Sequence, residues 1–213
     1  MKKSLASFPA CFVLLLVPGI SVARNHPASP AANFSADDKT PPSYDMKAQS
    51  LLDLRDLHKK MISLAQAIPP DKYAWRPETG ARSVSELFLH VTAANHNILS
   101  MMTGVSGDPL FKAKGFEAST SDKAKIIAEL DESFSYAESE IQAMSNADFA
   151  RPEKKLGPEA NSGGVIYLLL THNHEHFGQS IAYARMNGIT PPWTVEAEKK
   201  AKEVNNAGAP KQD

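Results

Sequence analysis

The sequence predicts an all-α fold, a four-helix bundle with room for a crossover connection. Four segments carry apolar residues at three- and four-residue spacing, and no stretch alternates apolar and polar residues convincingly enough for a strand. Composition agrees: of 213 residues, 42% are hydrophobic and 22% charged, the balance of an ordinary globular domain.

Taken in order, the chain opens with Met1, Lys2 and Lys3, then the apolar run Ala10–Val17, the break Pro18-Gly19 and the small residues of Ser21-Val22-Ala23. This is the pattern of a signal peptide over residues 1–23, too short to span a bilayer, with a mature start near Arg24. Export to the periplasm or the extracellular space is expected, with no stable membrane span after processing. Residues 24–43, rich in Pro, Ala, Ser and Asn, read as a flexible linker.

The folded unit is expected over residues 44–193. Its first helix runs from about Asp45 to Ile68, with Leu54, Leu57, Met61 and Leu64 on one face, and Pro69-Pro70 stops it. Ser83-Val-Ser-Glu86 makes a capping box for the second, which carries Leu87, Val91, Ile98 and Met101 towards Gly104. Ser121-Asp122 caps the third, whose face is Ile126, Leu130, Phe134, Ala137, Ile141 and Met144. The fourth starts near Gly164 and stops at Asn187-Gly188, ahead of Pro191-Pro192. The longer connections after the second and third helices leave room for the crossover. Residues 194–213, with Lys199, Lys200, Lys202, Gly208 and Pro210, read as a polar, solvated tail.

Charge and cysteine content narrow the chemistry. With 23 Lys+Arg against 24 Asp+Glu the formal net charge is −1, which supplies no basic field for phosphates, and no local basic patch is visible, so no nucleic-acid partner is expected. The single Cys excludes a disulfide framework and any multi-Cys metal site. Metal chemistry would rest on His and carboxylates.

Helical phase decides which of the seven histidines could cooperate. At about 100° per residue, His172, His176, Gln179 and Tyr183 share the face of Val165 and Leu169, whereas His174 points the opposite way. An i, i+4 His pair can place two imidazole nitrogens on one ion. His90, in a row with Leu87, Ala94, Asn97 and Met101, could supply a third nitrogen from the second helix. Three His without a fourth protein ligand would leave coordination positions open. The alternative at this point is that these are hydrogen-bonded core histidines. His58 and His96 read as surface or boundary residues, and Trp75 and Trp193 as lids on the ends of the core.

The sequence resembles the DinB-like (DinB/YfiT) four-helix-bundle proteins. The resemblance rests on Tyr73-Ala-Trp75-Arg-Pro77 leading into Ser83-Val-Ser-Glu-Leu-Phe-Leu-His90. It rests also on His172-Asn-His-Glu-His176-Phe-Gly178-Gln179, followed by Tyr183-Ala-Arg185 and Gly188-Ile-Thr-Pro-Pro192. It implies one divalent metal, zinc or nickel, held by His90, His172 and His176.

Relatives of this kind include thiol-dependent transferases, a mycothiol-dependent isomerase and proposed metal hydrolases. The predicted export argues against thiol transfer, because small thiols are kept reduced in the cytosol and the only Cys lies in the predicted signal peptide. A metal-dependent hydrolase acting on a small molecule is therefore expected, with Glu175 and Glu86 as candidate bases and Gln179 as a residue orienting a ligand or a histidine. The alternatives are a non-catalytic exported bundle that binds a metal or ligand, and a thiol-dependent S-transferase-like enzyme. Packing of a further exposed apolar face would permit a homodimer.

Overall fold

The computed structural model describes residues 45–207; the signal peptide and linker expected over 1–23 and 24–43 lie outside them. Among the described residues there are five α-helices, α1 Met46–Ala67, α2 Val84–Leu99, α3 Lys123–Ala143, α4 Ser162–Met186 and α5 Pro192–Ala207, with 3-10 turns in the connections. The only extended pairing among the described residues is one bridge between Pro152 and Asn161. No described helix is long and apolar enough to cross a membrane.

Side-chain caps fix where the helices begin. Asp45 accepts from the Ala48 amide and Asp122 from that of Lys125. At α2 the capping box is complete: Ser83 accepts from Glu86 N–H, and the Glu86 carboxylate accepts from Ser83 N–H at 2.7 Å. Two boundaries differ from the sequence expectation. Helix α2 ends at Leu99 rather than Gly104, because Met101 and Met102 turn back onto Ile98 and Leu99 in i, i+3 bonds and the chain departs there. Helix α4 begins two residues before Gly164, with the Asn161 side chain accepting from the Gly164 amide. Of the stretch expected as a solvated tail, residues 194–207 are helical, as part of α5, and 195–204 are exposed; the remainder lies outside the described residues.

The order of the helices follows from what their ends touch. Lys123, at the start of α3, donates to the carbonyls of Gln66 and Ile68 at the end of α1; Lys47, at the start of α1, reaches the Gln142 carbonyl at the end of α3. These two helices are antiparallel. Helix α2 also begins where α1 ends, since Tyr73 in the first connection bonds the Ala65 carbonyl through its hydroxyl and the Ser85 amide through its own carbonyl. Thus α2 and α3 run the same way, and α4 runs against both. Helices α1 and α2 take opposite corners, each packing on α3 and α4. Four buried faces fill the centre, with Leu54, Met61, Phe88, Ile126, Phe134 and Leu169 among the fully buried side chains. Each contributes about 1.5–3 kcal/mol of apolar burial.

A parallel α2/α3 pair cannot be joined by a short turn. Residues 100–122 return along the bundle as the crossover, packing two 3-10 turns, Pro109–Lys112 and Phe116–Ala118, against α2. Gly115, at φ +91°, supplies the left-handed turn between them.

Candidate functional site

Buried polar contacts set the rotation of α2 and α4, and that rotation aims the histidines. Asn173, fully buried between the two α4 histidines, donates to Asn95 Oδ1 at 2.8 Å, and Asn95 donates to Ser133 Oγ at 3.1 Å. This chain ties α4 to α2 and α3 and turns Asn173 away from the site. His172 and His176 are thereby presented to His90. His174 takes the opposite face, where it is exposed and meets Asp53 of α1 at 3.0 Å.

One nitrogen from each of His90, His172 and His176 lies within 4.8 Å of the other two. The Nε2 atoms of His90 and His172 are 3.1 Å apart. Two nitrogens bound about 2.0–2.1 Å from one tetrahedral ion sit roughly 3.3 Å apart, so this spacing suits a shared ion. The far sides of two rings are fixed by partners. His90 Nδ1 donates to Glu117 Oε1 at 2.7 Å, and His176 Nδ1 to Gln179 Oε1 at 2.9 Å, leaving both Nε2 lone pairs turned inward. The Nδ1 of His172 is buried without a partner among the described residues. These three residues can hold a divalent cation.

Electrostatics favour the neutral, coordinating form of the imidazoles. Burial pushes the His90 pKa below the ordinary value against the opposing bond from Glu117. Burial, with the neighbouring His176 and His90, takes His172 down to about 4. Glu117 is raised by burial, but hydrogen bonds from Arg82 and His90 outweigh that and hold it ionised.

Two members of the triad, His90 and His172, line a groove of about 1290 Å³ between α2, α4 and the crossover, while His176 lies buried behind them. Its lining includes Ala93, Ala94, Ile98, Phe116 and Leu168 on the apolar side and Arg76, Arg82, Lys112 and Lys114 on the basic side. Among the residues named as catalytic candidates, Gln179 lines the groove and bridges His176 to Tyr183. Glu86 lines it as well, but its carboxylate caps α2 and pairs with Arg76 at 3.1 Å. Glu175 is exposed and outside the groove lining.

Sequence reading missed Glu117, Arg82 and the two crossover lysines, which lie in segments without helical periodicity. The basic patch that no local run of sequence displayed is assembled from two separate stretches, the first connection with Arg76 and Arg82 and the crossover with Lys112 and Lys114. His96, expected at the surface or boundary, is buried: Phe111 of the crossover stacks on one face of its ring at 3.8 Å and Tyr136 on the other at 4.4 Å. Trp75 caps one end of the bundle edge-on to Tyr183, and Trp193 packs on Phe177.

The sequence profile of the DinB superfamily matches residues 53–180. Among solved structures, a DinB-like protein from Bacillus cereus ATCC 10987 superposes with a TM-score of 0.56 at 14% identity, covering 68% of this chain and 95% of that one. A candidate DinB-family member from Exiguobacterium sibiricum 255-15 gives 0.54 at 22% identity, covering 68% and 93%. At these identities the likeness speaks to the fold. No curated protein matches the chain.

Proposed function

The chain belongs to the DinB superfamily, and from that premise we propose that it is an exported hydrolase of small molecules that depends on one divalent metal, zinc or nickel. The carrying observation is that nitrogens of His90, His172 and His176 converge at one point, and that two of these residues, His90 and His172, line a groove large enough for a small-molecule ligand. When bound there, such an ion polarises a carbonyl or phosphoryl oxygen and renders water acidic enough to attack near neutral pH. Export rests on the basic start, apolar run and small-residue site of residues 1–23.

The chain's own residues do the positioning. Glu117, held by Arg82 at 2.7 Å, fixes the His90 ring, and Gln179 fixes the His176 ring. Arg76 and Arg82 from the first connection and Lys112 and Lys114 from the crossover also line the groove, the arginines paired with Glu86 and Glu117. Both carboxylates that line the groove, Glu86 and Glu117, are already engaged. That engagement favours a second reading, an exported bundle that binds a metal or ligand without turning it over.

Metal analysis of the mature chain and a screen of ester, amide and phosphoester substrates decide between them. Turnover lost on chelation and in His90→Ala supports hydrolysis. Roughly one ion per chain without turnover supports the binding bundle, and a chain that takes up no divalent ion overturns the hydrolase and leaves only a bundle that binds a ligand. Mass analysis of the secreted product, expected to begin near Arg24, tests export.

A further inference from the structure

The groove has an electrostatic character that the whole chain lacks. At a formal net charge of −1 the chain is close to neutral, yet four cations and only two carboxylates line the groove beside the triad. The carboxylates do not neutralise it evenly. Glu86 is paired with Arg76, and Glu117 with Arg82 and His90. Lys112 and Lys114 are exposed, and neither forms an ion pair among the described residues. The surplus charge therefore sits on the crossover, across the groove from Leu168 and His172. The triad contributes nothing negative, since three neutral imidazoles would leave the charge of a divalent ion uncompensated.

Alongside this basic rim runs an apolar floor of Ala93, Ala94 and Ile98 from α2, with Phe111 and Phe116 from the crossover. A purely inorganic anion would leave that floor wet. A neutral apolar ligand would leave the lysines unanswered. We propose that the groove takes an organic anion, a carboxylate or phosphate carried on an apolar body, whose charged head is held by Lys112 and Lys114 and whose body lies on the α2 and crossover floor. This rests on the metal-site reading only for the direction in which the head points; the lysine contacts stand without it. Charge-assisted contacts to two exposed ammonium groups set both selection for charge and a salt-sensitive affinity.

Calorimetry on the full mature chain, metal-free and zinc-loaded, with phenyl phosphate, octanoate, inorganic phosphate and the neutral benzyl alcohol, tests this. The expected result is binding of phenyl phosphate or octanoate in both forms, weaker binding of inorganic phosphate and of benzyl alcohol, and a loss of affinity as salt rises. The two organic anions distinguish a phosphate head from a carboxylate head. Lys112→Ala/Lys114→Ala should weaken the organic anion by at least about tenfold while zinc uptake stays intact. Benzyl alcohol binding as tightly as the anions, or a double variant with unchanged affinity, would overturn the proposal. Binding confined to the zinc-loaded form and untouched by the lysine substitutions would also overturn it, while leaving the metal-site reading standing. Anion binding through the lysines in a chain that takes up no zinc would do the reverse.

Discussion

His90 on α2 and Glu117 on the crossover are joined by a 2.7 Å hydrogen bond between Nδ1 and Oε1, across 27 residues of sequence. The bond decides which nitrogen of His90 faces the site, and it couples a helix to an irregular segment. Glu117→Gln removes the charge and keeps the shape. Metal affinity should fall about 10- to 100-fold, as read by competition against a chromophoric chelator. An unchanged affinity would detach Glu117 from the site.

Substitution of the histidines separates phase from sequence proximity. His172→Ala and His176→Ala should each bring metal content close to zero by elemental analysis. His174→Ala, which loses only an exposed contact to Asp53, should keep the wild-type content and change stability by less than about 0.5 kcal/mol. Equal losses in all three would contradict the division of α4 into two faces.

Acid should act on the metal-free chain through His172. Its folded pKa, about 4, lies below the ordinary value of 6.5, so the unfolded state binds the proton more readily. The stability contribution is complete above about pH 6.5, is lost as pH falls towards 4, and levels off below that. Urea unfolding of wild type and His172→Asn over this range should show a steeper decline in the wild type. Protons compete with metal at the same nitrogens, so metal affinity should also fall below about pH 6.

Glu153 offers a test away from the site. Its buried carboxylate is raised by burial, but bonds from Ser162, the hydroxyl and amide of Thr103, and Arg151 outweigh this and bring it to about 2. It thereby fastens the end of α2 to the start of α4. Glu153→Gln should cost about 2 kcal/mol in urea unfolding at neutral pH. The carboxylate's contribution is present above about pH 4.5 and disappears as pH falls towards 2, so the gap between wild type and variant should close in acid.

The sequence carried the bundle because helices announce themselves locally. Ser83 and Glu86, three residues apart, define the start of α2, and the spacing of Ile126, Leu130, Phe134, Ala137 and Ile141 defines the buried face of α3. The same rule placed His172 and His176 on one side of α4 and His174 on the other. Glu117 and Lys112 obey no such rule. Their positions depend on where the crossover lies against α2, a long-range packing outcome with no period to read. His96 was misjudged for the same reason, since nothing local to it shows that Phe111 will cover its ring.

The parallel course of α2 and α3 has an architectural consequence. The return segment it demands anchors itself on the core through Phe116 and Phe111, and its remaining residues form a wall of the groove beside the triad. A chain with this helix order divides the work within one segment: Phe111, Phe116 and Glu117 tie the crossover to α2 and to His90, while the exposed Lys112 and Lys114 meet whatever approaches. Exchanging Lys112 and Lys114 alone would alter what this pocket accepts while leaving the contacts of Phe111, Phe116 and Glu117 in place.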